Sequence, residues 1–181
     1  MILYIAEKPS LGRAVASALP RPHKNGDGFI TVGNGDVVSW CIGHLLEQAQ
    51  PETYNAEFKK WSTTHLPIVP DQWKLEVKPK TRKQFTVLKK LIKQADVLVN
   101  VGDPDREGQI LIDEVINHCK VSKTKLHATQ RCLISDLNTA AVKKSLNNLR
   151  SNTEFVPLAT SALARARADW LYGINLTRLC T

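Results

Sequence analysis

The sequence predicts an α/β fold: a mainly parallel sheet with helices on both faces, followed by a C-terminal helical segment that starts a second domain. Three features carry that expectation. Two short runs rich in Val, Ile and Leu, Ile2–Ala6 and Asp96–Val101, suit strands buried on both sheet faces. Amphipathic helical stretches separate the strands, as parallel crossovers require. Past a boundary near Arg150–Pro157 the pattern changes to one long helical stretch rich in Ala and Arg. The division expected is residues 1–153 for the sheet domain and 154–181 for the start of the second.

Each element has a local reason. Glu7-Lys8-Pro9-Ser10 interrupts the first strand, and Leu11–Leu19 then reads as a short helix stopped by Pro20 and Pro22. Phe29–Val32 and Val37–Ile42 flank Gly33-Asn34-Gly35-Asp36, a strong hairpin signal. Pro51–Trp73, rich in aromatics and prolines, reads as a surface excursion with one short helix near Asn55–Trp61. Thr81–Ala95 carries the stripe Phe85, Leu88, Leu91, Ile92 and Ala95, with lysines on the opposite face. Arg106–Cys119 carries a second stripe, Leu111, Ile112, Val115, Ile116 and Cys119. Lys125–Cys132 reads as a strand, Ser135 as the N-cap of a helix reaching Leu149, and Phe155–Thr181 as the last helix.

The net charge is +8, and it is unevenly placed. Between Lys74 and Lys93 eight basic residues face a single acid, Glu76. Such a run fits either a solvated helix face or contact with a phosphate polymer. No apolar run is long enough to span a bilayer, so no membrane partner is expected. The start, Met1–Ala6, lacks a basic n-region and reads as a strand rather than a signal peptide. Cys41, Cys119, Cys132 and Cys180 are too scattered for a zinc site and suit reduced thiols in a cytoplasmic protein.

Asp103-Pro104-Asp105-Arg106-Glu107-Gly108 is the run most loaded with chemistry. It follows the strand Asp96–Val101, so it emerges at a carboxyl edge of the sheet, where open parallel sheets form their sites. Pro104 ends the strand ladder and keeps Asp103 out of the helical region. Asp105 and Glu107 then fall in the first helical turn. Acids there are favourable caps in any helix. Three carboxylates in five residues also repel one another, and a hard divalent cation relieves that repulsion. Glu7-Lys8 follows the first buried strand and can reach the same edge. It offers a carboxylate for proton transfer and a cation for a phosphate oxygen. Taken alone it is also ordinary turn chemistry.

A strand ending in Glu followed later by a strand ending in Asp-x-Asp-x-Glu resembles the toprim domain, which is Rossmann-like. Toprim domains are shared by type IA and type II topoisomerases, bacterial primases and some nucleases. Four motifs resemble, in the same order, the topoisomerase III branch of the bacterial type IA enzymes. They are Ala6-Glu7-Lys8-Pro9-Ser10, Gly43-His44-Leu45, Gly102–Gly108 and the stretch from Ala168-Asp169-Trp170 to Thr177-Arg178. The resemblance covers essentially the whole chain. It implies Mg²⁺ held by Asp103 and Asp105 with Glu7 or Glu107, Mn²⁺ as a substitute, and no ATP. It further implies Glu7 as general acid or base and Lys8 against the scissile phosphate. It assigns the last helix to gripping single-stranded DNA, with Arg106, Arg165, Arg167 and Arg178 as phosphate contacts and Asp169 orienting an arginine. Arg165 and Asp169 are also simply an i,i+4 pair in its weaker orientation.

The implied reaction cleaves and reseals single-stranded DNA through a 5′-phosphotyrosine, relaxing or decatenating DNA at the nucleoid. In that family the tyrosine belongs to a later domain, beyond Thr181. Tyr4, Tyr54 and Tyr172 do not match its context, so the chain alone is expected neither to cleave nor to relax DNA, and the remaining domains of the full-length enzyme are its expected partners. Two other functions compete. A primase or nuclease toprim domain needs the same acids but does not account for Asp169–Arg178. A non-catalytic basic DNA-binding module accounts for the lysines but not for clustered acids.

Overall fold

The computed structural model describes residues Met1 to Cys180. Strand β1 (Ile2–Ala6) leads into helix α1 (Pro9–Ala18). Three short strands follow, β2 (Lys24–Gly26), β3 (Phe29–Thr31) and β4 (Val37–Trp40). An excursion then carries β5 (Leu46–Gln48), the one-turn helix α2 (Pro51–Tyr54) and β6 (Leu75–Val77). The chain returns through α3 (Arg82–Gln94), β7 (Val97–Val101) and α4 (Arg106–His118). It closes with α5 (Lys123–His127), β8 (Gln130–Arg131), α6 (Thr139–Leu146), β9 (Arg150–Ser151) and α7 (Val156–Leu179).

The main sheet runs β2-β3-β4-β1-β7-β8-β9. Its four central strands, β4, β1, β7 and β8, are parallel, and β2, β3 and β9 add antiparallel edges. Alternation along β1 divides the core into two layers. Leu3 and Ile5 point to the side covered by α3 and α4, where Phe85, Leu88, Ile92, Ile112 and Ile116 pack. Tyr4 and Ala6 point to the other side, with Leu11 and Val15 of α1 and Val142 of α6. Helices on both faces of a mainly parallel sheet are the expected class.

Several local expectations are corrected. Lys125–Cys132 is not one strand. Ser122 accepts a hydrogen bond from the Lys125 N–H and starts helix α5, so only Gln130–Arg131 pairs with β7. The cap of α6 is Asn138, whose side chain accepts from the Ala141 N–H, and not Ser135. The helix near Asn55–Trp61 is a 3-10 turn, Ala56–Lys59, preceded by α2. The strands β2, β5, β6 and β9 were not expected at all. Each has three residues or fewer, too short to carry a periodicity.

The aromatic excursion is held against α7. The Trp170 indole N–H donates to the Ala49 carbonyl at 3.1 Å, and its ring meets Tyr54 and Trp73 edge-on. Asn175 brackets the Ile68 peptide, accepting from its N–H at 2.6 Å and donating to its carbonyl at 3.0 Å. On another side α7 packs along α4.

Candidate active site

β1 and β7 are hydrogen-bonded parallel neighbours in the register Ala6↔Val101. The residues that leave them, Glu7-Lys8 and Gly102-Asp103, therefore emerge side by side at the carboxyl edge of the sheet. Pro9 opens α1 just after Lys8, and Asp105 caps α4 just after Pro104, so both loops are short and end in helix starts.

The two loops bond directly. The Asp103 N–H donates to Glu7 Oε2 at 2.9 Å, and Lys8 Nζ donates to Asp103 Oδ2 at 2.8 Å. That pairing with Asp103 is the main reason the Lys8 pKa is raised, with Glu7 and Asp105 adding to it. Asp105 Oδ1 accepts from the Gly108 N–H at 2.7 Å, so this acid caps the helix. Glu107 turns away. Its carboxylate lies 3.7 Å from Arg106 Nε and lines a hollow with His44, Lys78 and Glu114. Among the described residues, no hydrogen bond or ion pair joins Glu107 to Glu7 or Asp103.

Two glycines make this packing possible. A Cβ on Gly108 would stand 2.4 Å from the Asp103 carbonyl oxygen, 2.5 Å from its nitrogen and 2.8 Å from Glu7 Oε2. A Cβ on Gly102 would stand 2.1 Å from the Gly108 carbonyl oxygen. Real contacts are never that short, so the loop closes only because both side chains are missing.

Among the described residues, no three carboxylate, imidazole or thiol groups converge into a ready-made metal cage. Mg²⁺ does not need one, because it takes one or two carboxylates and completes its octahedron with water and phosphate oxygens. Glu7, Asp103 and Asp105 at one open edge, with Lys8 beside them, fit an ion of that kind.

Sequence reasoning missed Arg131. It is fully buried, and each of its three guanidinium nitrogens is hydrogen-bonded. Nε donates to Gln109 Oε1 at 2.7 Å. One terminal nitrogen donates to the carbonyls of Gly102 at 2.8 Å, Cys132 at 2.9 Å and Asn100 at 3.2 Å, and the other to the Asp103 carbonyl at 2.7 Å. Gln109 Nε2 continues to Asp113 and Asn152, and Asn100 also reaches Asp113. Burial raises the Asp113 pKa and lowers that of Arg131, while each charge offsets the other's desolvation. Next to them, burial pushes the Cys132 thiol up to about 11. One signal in the sequence marked this position: a lone arginine at the head of the apolar run Cys132-Leu133-Ile134.

The α7 residues are divided. Arg165 and Asp169 are exposed and sit 3.7 Å apart. Arg167 stacks over the Trp73 ring at 5.2 Å, with its Nε buried and not hydrogen-bonded among the described residues. Arg178 is buried, held over Trp61 at 5.6 Å and bonded to the Lys60 carbonyl. The lysine run is divided as well. Lys83 pairs with Asp27 at 2.8 Å, and Lys78 faces the hollow beside Glu107. Lys89 and Lys93 lie near Lys120 around His118 and Cys119, at the amino edge of the sheet. The length of α4, about 20 Å for a helix of this size, separates that cluster from Glu7 and Asp103.

Comparison with known proteins shows the family and the fold. The Toprim domain family matches residues 2–137. DNA topoisomerase 3 of Pasteurella multocida is 61% identical over the whole chain, and that of Haemophilus influenzae 60%. That of Bacillus subtilis is 41% identical. The chain corresponds to the N-terminal part of the first two and spans 28% of their length. Among solved structures, topoisomerase I from Thermotoga maritima superposes with a TM-score of 0.57 at 17% identity. That match covers 92% of this chain and 24% of the other, and it supports the fold.

Proposed function

The chain belongs to the Toprim domain family, and from that premise we propose that it supplies the metal- and proton-handling half of a type IA DNA topoisomerase acting on single-stranded DNA. The observation that carries this reading is the contact between the two sheet-edge loops, Glu7-Lys8 against Asp103. Asp103 and Asp105, with Glu7, would hold Mg²⁺, or Mn²⁺ in its place, which when bound neutralises charge on the phosphate. Lys8 holds a non-bridging phosphate oxygen. Glu7 gives a proton to the 3′ oxygen as it leaves and takes it back on resealing. The attacking tyrosine comes from the remaining domains of the full-length enzyme, and the phosphotyrosine conserves the bond energy, so no ATP is required. Residues 1–153 form the catalytic domain, and 154–181 begin the domain that grips the strand, with Arg165, Arg167 and Asp169 nearest to it and Arg106 at the loop itself. Arg178, buried under Trp61, supports that helix. The enzyme works at the nucleoid in the cytoplasm; no described helix is long and apolar enough to cross a membrane.

Metal binding tests the reading. Mn²⁺ titration followed by electron paramagnetic resonance should show a site in the chain, weakened at least tenfold by Asp103→Asn and by Asp105→Asn. Equal affinity in all three proteins would remove the catalytic-site assignment.

A further inference from the structure

We propose that Arg131 is the positioning residue of this site: a buried guanidinium that holds the Gly102-Asp103 turn so that the Asp103 carboxylate faces Lys8. This deepens the reading above and rests on it for the role of Asp103.

The turn is shaped by few bonds. The Gly102 N–H donates to Asn100 Oδ1 at 3.0 Å, and the Asp103 N–H donates to Glu7. Its two carbonyls, those of Gly102 and Asp103, both accept from Arg131, and the Asp103 carbonyl also accepts from the Asp105 N–H at 2.8 Å. Carbonyls that point into a protein need donors, and one planar fork here serves both, together with two more from Asn100 and Cys132. Lysine has the charge but not the fixed fork, so it cannot hold the two peptide planes in one relative orientation. Placing a charge at zero exposure opposes folding unless it is fully bonded. Bonding to four carbonyls and Gln109, with Asp113 nearby, meets that condition, and its focus is the turn that carries Asp103.

The same network reaches the root of α7. Asn152, in the turn before that helix, donates to Asp113 at 2.9 Å and accepts from Gln109 at 2.8 Å. The Phe155 ring lies 5.8 Å from the Arg131 guanidinium. Arg131 thus ties the turn that carries the metal-facing acid to the point where the DNA-gripping helix leaves the sheet.

The test compares Arg131→Lys with Val142→Ala, a core variant remote from the loop that lowers stability without touching it. Amide hydrogen exchange is read at Gly102 and Asp103, and Mn²⁺ affinity is read in parallel. In Arg131→Lys those two amides should exchange at least tenfold faster while Ile5 and Leu98 keep their protection relative to Val142→Ala, and Mn²⁺ should bind at least tenfold more weakly. Unchanged exchange at Asp103, or the same acceleration in Val142→Ala, overturns the proposal. If Arg131→Lys does not fold, Gln109→Met, which removes the acceptor of Nε together with the donor to Asp113 and Asn152 and leaves the guanidinium in place, carries the same expectations. Failure of the parent chain to bind Mn²⁺ would count against the metal reading, while the exchange data would still decide the positioning role.

Discussion

At the residue scale the site depends on atoms that are missing as much as on those present. Glu7, Asp103 and the start of α4 meet where Gly108 has no side chain. Gly108→Ala would force its methyl against the Asp103 backbone, which is not a flexible neighbour. The expected cost is about 1–3 kcal/mol of stability, the range for overpacking a closed site. The same change should loosen the bond from the Asp103 N–H to Glu7 and weaken Mn²⁺ binding. A thermal melt and a metal titration measure the two effects, and an alanine variant with parental values in both would show that the loop has slack. The carboxylates themselves differ in duty. Asp103 pairs with Lys8, Asp105 caps a helix, and Glu107 faces a separate hollow.

At the element scale, caps decide where helices begin. α6 starts at Thr139 because Asn138 accepts from the Ala141 N–H, and Asp136 in turn orients Asn138. Asn138→Ala should therefore cost about 1 kcal/mol, and Ser135→Ala a few tenths at most. Chemical denaturation of the two variants checks this, and a larger loss from Ser135→Ala would restore the earlier cap. The basic stretch also takes a different form at this scale. Lysines consecutive in sequence are dispersed by the geometry of α3 and its preceding loop, and Lys89 and Lys93 join Lys120 from beyond α4.

At the scale of the whole molecule, the charge has two poles. One is the edge of the candidate site with Lys8 and Arg106, and the other is the cluster of Lys89, Lys93 and Lys120 around His118 and Cys119. A nucleic acid that contacts only the site edge should not respond to changes at the other. Replacing Lys89, Lys90 and Lys93 by Gln should lower the dependence of single-stranded DNA affinity on the logarithm of salt by about 2 if all three reach phosphates. An unchanged slope, measured by fluorescence anisotropy between low and moderate salt, would assign the amino-edge lysines to solvation alone.

Sequence alone determined the fold class and pointed to the candidate site, because both rest on local signals. Ile2–Ala6 and Val97–Val101 read as buried strands because their apolar content is continuous. The acid run reads as a site because like charges are concentrated just where a strand must end. The motifs also placed Glu7 and Asp103 at one edge, and the parallel pairing of β1 with β7 agrees. Only the tertiary structure decided the rest. Strands of two or three residues have no period, so β8 and β9 exist by pairing with partners already in place. Arg131 is not singled out in sequence and Arg178 is expected on phosphate, yet both are buried. Whether an arginine is buried depends on which carbonyls and rings arrive around it, and the carbonyls of Gly102 and Asp103 come from nearly thirty positions away along the chain. Local chemistry can be read from neighbours in sequence, whereas the environment that orients it is made by neighbours in space.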